Sequence, residues 1–381
     1  MTRPRFPYAA RLSAVRAAMA ESHLDALVLS HPPNLFYLCG FSGTAGALVL
    51  DGHAAHLVVD FRYLTAARAL ATGHPDLAAL QVVLAESSED DALAAMIKGA
   101  GWTRVGIEAA SMPVLRFNRL SAALAGGAPT PLAPERSGPA LVPTEGLVER
   151  CRVVKDAAEI AVLRAAAAML SAVAREILPA IVRAGRREAE IGADLDGALR
   201  RAGFSRPAFE TIVASGPNGA LPHARPSTRM LEPGDPVVLD FGGIYDGYCV
   251  DLTRTVQLAP STPEFRRLFA AVVDAHDHAI RAVRPGVATA DIDYAARHTL
   301  EVHGLGAVFG HGTGHGLGVE VHEEPRIARA DARPPVTVLP GMVFTIEPGV
   351  YVPGIGGVRI EDDVLVVADG CEVLTQVPIQ L

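Results

Sequence analysis

The chain reads as two domains, an α/β domain followed by an α+β domain, and three observations carry that reading. Its 381 residues exceed what one hydrophobic core usually holds, since domains cluster near roughly 100 to 150 residues and split beyond about 250 to 300. In the first part, apolar runs alternate with helical stretches, the texture of an α/β layer. From Phe209 onward, short apolar or alternating runs separated by Gly and Pro take over, with helices among them, which is α+β texture. The expected domains are 1–145 and 146–381.

The α/β part begins with a helical stretch at 12–19, followed by apolar runs at 26–30, 46–50 and 56–60 and a polar segment at 86–98. Residues 126–143 are rich in Gly and Pro. Pro129, Pro131, Pro134, Pro139 and Pro143 forbid a long helix there, and the linker region is placed in this stretch. Helical patterning resumes at Asp156, which with Glu159 three residues later makes a capping-box-like start to a run reaching about Leu178. A second helix is expected over 187–201, and two more near 263–283 and 289–303. No internal repeat is present, which disfavours solenoids and propellers.

A formal charge of -8 at pH 7, from 42 acidic and 34 basic residues, offers no electrostatic reason to bind nucleic acid or anionic lipid. No apolar run reaches the roughly 18 uninterrupted residues of a membrane helix, because Ala-rich runs such as 165–168 are bounded by Arg164 and Arg175. Arg3, Arg5, Arg11 and Arg16 interrupt the apolar core that a secretory signal needs, so a cytoplasmic location is expected. Cys39, Cys151, Cys249 and Cys371 are scattered singly, which fits reduced packing thiols rather than disulfides or a zinc knuckle.

Five residues in the last third could hold a pair of metal ions: Asp240, Asp251, His315, Glu347 and Glu361. Asp240 closes the apolar run Val237-Val238-Leu239, and Asp251 lies just past the turn-like Tyr245-Asp246-Gly247. This reads as a hairpin with one carboxylate on each arm. An arbitrary Asp is more often a turn residue, yet a carboxylate ending so apolar a strand needs a compensating partner, which a cation would be. Two ions about 3.5 to 4 Å apart need bridging carboxylates to screen their repulsion. Four carboxylates with one imidazole and no thiolate favour Mn, Fe, Co or Zn over Mg and argue against a structural zinc site.

His311 and His315 lie in Gly310-His311-Gly312-Thr313-Gly314-His315-Gly316, where the glycines make a helix improbable and a loop or extended strand the better reading. With His322, three histidines fall within twelve residues, interleaved with glycines that let backbone approach a ligand closely, which favours a functional over a structural role. Glu347 ends the apolar run Val343-Phe344-Thr345-Ile346. In Val358-Arg359-Ile360-Glu361, Arg359 and Glu361 should share one face of a strand, opposite Val358 and Ile360.

Together these segments resemble the "pita-bread" (creatinase/aminopeptidase-like) metallopeptidases of the Xaa-Pro dipeptidase (prolidase) and aminopeptidase P family. The N-terminal half is similar to the creatinase/prolidase N-terminal domain, notably in Asn34-Leu35-Phe36-Tyr37-Leu38-Cys39-Gly40-Phe41-Ser42-Gly43. The resemblance implies an α+β pita-bread catalytic domain. It implies that Asp240, Asp251, His315, Glu347 and Glu361 bind two divalent ions, Mn first, with Co or Zn as alternatives. It further implies that His223, in Leu221-Pro222-His223-Ala224, and His322 line the substrate site, with His311 close by. On this reading water attacks the carbonyl before proline, Glu347 shuttles its proton, His223 and His322 stabilise the tetrahedral intermediate, and Arg359 holds the electrostatics.

Arg326, in Glu323-Glu324-Pro325-Arg326, matches an Arg that holds the free carboxylate in some prolidases. The expected enzyme is therefore a metal-dependent hydrolase of the Xaa-Pro bond in short peptides, leaning to a dipeptidase, with an aminopeptidase acting on longer peptides as the alternative. A homodimer is expected by resemblance alone. Methionine aminopeptidase shares the metal pattern, but typically lacks the large N-terminal domain and differs around the final Glu. Creatinase lacks the ligand set, and non-enzymatic binding modules of this fold have lost it.

Overall fold

The computed structural model describes residues 5–125 and 138–379. By internal contact the chain divides between Arg152 and Val153 into two compact units. The sequence reading set this boundary at 145/146. Residues 149–152 belong with the first unit because Glu149 accepts from Asn34 Nδ2 at 2.7 Å, the Cys151 carbonyl accepts from Tyr37 Oη at 2.9 Å, and Arg152 donates to Asn34 Oδ1 at 2.7 Å.

The first unit is a six-stranded sheet flanked by helices. Its strands are β1 (Ala26–Leu29), β2 (Ala47–Asp51), β3 (Ala55–Val59), β4 (Leu80–Leu84), β5 (Arg104–Glu108) and β6 (Ala140–Thr144), in the order β4-β3-β2-β1-β5-β6. The β1–β2–β3 run is antiparallel, whereas β3–β4, β1–β5 and β5–β6 are parallel. The helices are α1 (Tyr8–Glu21), α2 (Pro32–Cys39), α3 (Phe61–Gly73), α4 (Glu89–Ala100), α5 (Val114–Ala125) and the short α6 (Glu149–Arg152). Of the Gly- and Pro-rich stretch 126–143, residues 126–137 lie outside the described residues. The remainder corrects the linker reading, since β6 is an edge strand of the sheet. Pro139 and Pro143 exclude a helix, but an edge strand tolerates proline because one of its sides needs no ladder donor.

The second unit opens with α7 (Ala157–Ile181), whose start is the expected capping box. Asp156 accepts from the Ala158 and Glu159 amides, and Glu159 accepts from the Asp156 amide. By length and composition α7 could cross a membrane. Its buried stripe, including Val162, Leu163, Ala166, Ala167 and Leu170, lies instead against the hairpin of β9 (Pro236–Tyr245) and β10 (Tyr248–Gln257). After α8 (Glu188–Ala202) come β7 (Arg206–Pro207), β8 (Ile212–Ser215), β9 (Pro236–Tyr245) and β10 (Tyr248–Gln257), which form one antiparallel sheet with β9 paired to all three others.

Helices α9 (Pro263–Ala282) and α10 (Thr289–Val302) precede a five-stranded antiparallel sheet. It comprises β11 (Gly314–Gly316), β12 (Glu323–Ile327), β13 (Val343–Ile346), β16 (Asp362–Val367) and β17 (Gly370–Val373), in the order β12-β11-β13-β16-β17. The hairpin of β14 (Gly349–Val352) and β15 (Gly356–Arg359) lies between β13 and β16 in sequence. The apolar faces of α9 and α10 share one core with Phe344, Ile346, Val358, Ile360 and Val364, so the carboxylate-bearing strands are backed by a packed layer.

Candidate metal centre and active site

Strands β9 and β10 present two carboxylates on one face. They are joined through Asp246 and Gly247, both with positive φ (45° and 86°), the conformation of a two-residue hairpin turn. In this register Asp240 faces Thr253 and Asp251 faces Gly242, so the two aspartates are diagonal neighbours across the ladder. Gly242 must be glycine because a Cβ there would lie 2.2 Å from the Val250 carbonyl oxygen.

His315 enters from β11, and the glycines around it act through close approach rather than unusual φ. A Cβ on Gly314 would lie 1.9 Å from the Thr345 oxygen, and one on Gly316 would lie 2.2 Å from the Glu324 oxygen. The backbone of β11 is thus sandwiched between its neighbours while its single side chain faces the cluster. His315 Nδ1 lies 3.1 Å from the Gly316 carbonyl. Donating there fixes the tautomer and leaves the Nε2 lone pair for a metal. Nε2 is 3.5 Å from Glu347 Oε1 and 4.0 Å from Asp251 Oδ2.

Glu347 follows the last residue of β13, its amide tied to the Thr313 carbonyl at 2.7 Å. Glu361 stands between β15 and β16, with Oε2 accepting from Thr253 Oγ1 at 2.5 Å. As the alternation predicts, Arg359 and Glu361 line the cavity while Val358 and Ile360 join the apolar core. The Arg359 guanidinium spreads over four partners: Asp240 Oδ2 (2.5 Å), Tyr351 Oη (2.8 Å), the Pro222 carbonyl (3.2 Å) and Thr253 Oγ1 (3.2 Å).

Asp240, Asp251, His315, Glu347 and Glu361 all border one cavity of about 1050 Å³, with His223, His311, His322, Arg326 and Arg359. Ligand atoms of Asp251, His315 and Glu361 lie within 4.8 Å of one another. His322 stacks edge-on to His315, ring centroids 4.4 Å apart. His223 is exposed on a loop whose two ends converge on buried Glu188, which accepts from Ser215, Asn218 and Ser227. His311 differs from the other two histidines because both of its nitrogens are engaged within the protein, Nδ1 with the Gly312 carbonyl at 2.8 Å and Nε2 with Tyr351 Oη at 3.0 Å.

The electrostatics of this cluster call for cations. Burial, then the neighbouring carboxylates, holds Asp251 and Glu361 well above the usual carboxylate range, and burial pushes Glu347 up to about 7. Burial lowers His315 to about 3 and His311 to about 4, so both are neutral, as a ligand imidazole must be. Asp240 Oδ1 is buried without a hydrogen-bond partner, an arrangement that costs free energy unless a cation accepts it. Oxygen-rich donors around one neutral imidazole therefore fit divalent metal ions.

Tyr351 and Thr253 escaped the sequence reading. Each sits in a strand, where an aromatic or β-branched residue reads as packing. Their roles appear only through Arg359, which Thr253 meets from 106 positions away and Tyr351 meets across the β14–β15 hairpin.

The model of metallopeptidase family M24 matches residues 161–368, and that of the Creatinase/Prolidase N-terminal domain matches 11–154. The chain is 31% identical over 363 residues to the Xaa-Pro dipeptidase of Pyrococcus horikoshii, covering 94% of each chain. Among solved structures it is similar to the Xaa-Pro dipeptidase from Bacillus anthracis, with a TM-score of 0.88 at 33% identity, covering 98% of this chain and 100% of that one. It is also similar to the X-Pro aminopeptidase from Thermotoga maritima, with a TM-score of 0.82 at 29% identity and coverage of 96% and 100%.

Proposed function

Because the chain belongs to metallopeptidase family M24, we propose that it hydrolyses the Xaa-Pro bond of dipeptides, with Asp240, Asp251, His315, Glu347 and Glu361 holding two divalent ions. The observation that carries the dipeptidase reading is Arg326. Its half-buried guanidinium borders the cavity and, among the described residues, has no hydrogen-bond or ion-pair partner. A planar two-pronged donor left open in this way suits a free carboxylate.

Divalent ions at such a site polarise a carbonyl and make water a nucleophile near neutral pH. Glu347, which borders the cavity beside His315, takes the proton of the attacking water and delivers it to the departing proline nitrogen. His322 and His223 donate hydrogen bonds to the carbonyl oxygen as it becomes anionic. Arg359 acts through Asp240 and Tyr351, which it orients. His311 supports Tyr351 rather than touching substrate, since its nitrogens are already used.

Manganese is the proposed native metal, favoured by four carboxylates with a single imidazole and no thiolate. The proposed enzyme is a cytoplasmic homodimer. Its four free cysteines suit a reducing compartment, and light scattering of the purified chain tests the dimer.

The size of the cavity supports a second reading, an aminopeptidase acting on longer peptides. At about 1050 Å³ it lies at the top of the roughly 300–1,000 Å³ common for ligand pockets. Comparing kcat/KM for Xaa-Pro with Xaa-Pro-Yaa peptides separates the two. The dipeptide is expected to be preferred, and Arg326→Ala should raise its KM by about tenfold or more while leaving the tripeptide nearly unchanged, the loss of one charge-assisted bond being roughly 1.5–3 kcal/mol. Preference for the tripeptide would overturn the dipeptidase assignment.

A further inference from the structure

His322 reaches the cavity from a turn fixed by a buried ion pair that itself lines no part of the cavity. Lys155 Nζ donates to Glu323 Oε2 at 2.9 Å, with side chains 0% and 6% exposed. The other carboxylate oxygen, Oε1, accepts the Glu320 amide at 2.9 Å. One side chain therefore spans the turn and anchors it to a fixed cation. Lys155 is held in turn by its amide bond to the Gly341 carbonyl at 2.8 Å. Within the turn, the Gly318 amide donates to the Glu320 carbonyl at 2.9 Å, and the Gly318 carbonyl accepts from the Cys249 amide of β10 at 2.7 Å. Gly318 leaves the space this needs, since a Cβ there would lie 2.9 Å from Glu323 Oε2 and 3.0 Å from Lys155 Nζ.

Stability alone does not explain such a pair. Removing two charges from water offsets most of their attraction, and well-packed apolar replacements are often neutral or stabilising. What the pair supplies is a defined length and direction between the chain at 155 and the first residue of β12, immediately after His322. We propose that Lys155 and Glu323 are positioning residues for the hydrolysis, holding the 318–323 turn so that the His322 imidazole faces the scissile carbonyl. The proposal rests on the reading that His322 contacts substrate.

The test is a cycle in the full-length, metal-loaded enzyme with an Xaa-Pro dipeptide: Lys155→Met with Glu323→Leu, His322→Ala, and all three together. The Lys155/Glu323 variant is expected to melt near the parent temperature and to bind metal with parental affinity by calorimetry. Its kcat should fall by roughly ten- to a hundredfold, the scale of a small misplacement of a reacting group, with little change in KM. Adding His322→Ala should then cost almost nothing more. Parental kcat in the Lys155/Glu323 variant, or losses that simply multiply in the combined one, would overturn the proposal. A silent His322→Ala on the parent background would overturn the role of His322 itself, and this proposal with it. Lys155→Met with Glu323→Gln, which removes both charges and keeps the acceptor for the Glu320 amide, runs the same cycle if the apolar pair fails to fold.

Discussion

Arg359 shows how much of this site depends on one side chain reaching several partners at once. Its planar fork meets Asp240, Tyr351, Thr253 and the Pro222 carbonyl, and through Thr253 it is coupled to Glu361. A lysine would keep the charge but offers three donors on one compact ammonium, which cannot span the partners that Nε, Nη1 and Nη2 reach. Arg359→Lys is therefore expected to weaken metal affinity or kcat by roughly 10- to 100-fold, the usual cost of losing a partner that orients a ligand. Calorimetric metal titration beside steady-state kinetics measures it, and parental values in both would remove Arg359 from this role. The alternation of Val358, Arg359, Ile360 and Glu361 made the shared face legible, because strand period is a local property. Thr253 was not legible because Arg359 reaches it across 106 positions, and Tyr351 was not because only the register of the β14–β15 hairpin brings its hydroxyl to Arg359.

The interleaved glycines of β11 permit close backbone approach, and in the fold the Thr345 and Glu324 carbonyls are what approaches. The Thr345 carbonyl occupies the space a Gly314 side chain would need, with only 1.9 Å to an added Cβ. Gly314→Ala is expected to destabilise the fold by roughly 1–3 kcal/mol, as overpacking does, and to lower metal affinity by shifting His315. Thermal melting with and without metal checks both, and an unchanged melt would show that β11 has slack it does not display. The β9–β10 hairpin and the α7 cap were legible because turn chemistry and capping are decided within a few residues. Strand β6 was not. Its prolines excluded a helix, but whether the chain became a linker or an edge strand depended on β5 having a free side.

The catalytic unit as a whole concentrates negative charge where it has buried it. In the metal-free protein, Asp251, Glu347 and Glu361 all have raised carboxyl pKa values, Glu347 about 7. Their contribution to stability is fully present below the ordinary carboxylate range and is lost as pH rises through the folded values. His311 and His315, lowered to about 4 and about 3 from 6.5, contribute stability above pH 6.5 that is lost only as pH falls toward those values. From about pH 7.5 to about 8.5 the imidazoles, neutral in both the folded and the unfolded chain, are therefore silent and the carboxylates dominate. Chelator-treated protein should melt at a lower temperature at the upper end of this range. Saturating divalent metal should abolish or reverse that trend, since the ions bind the ionised carboxylates. A metal-free melting temperature that rises across the same range would contradict it.

Residue type and local spacing settled which donors this chain possesses and which strands and turns carry them: carboxylates at the ends of apolar runs, a histidine between glycines, an Arg two places from a Glu. Those features follow from steric preferences acting over a few residues. Tertiary folding chose the partner of each donor, joining Asp240 to Arg359 across 119 positions and Thr253 to Glu361 across 108. It also set how deeply each group is buried. Contacts at that separation, and the low-dielectric surroundings that raise a carboxyl pKa, exist only once β10 lies against β15 and β16, so no stretch of sequence contains them.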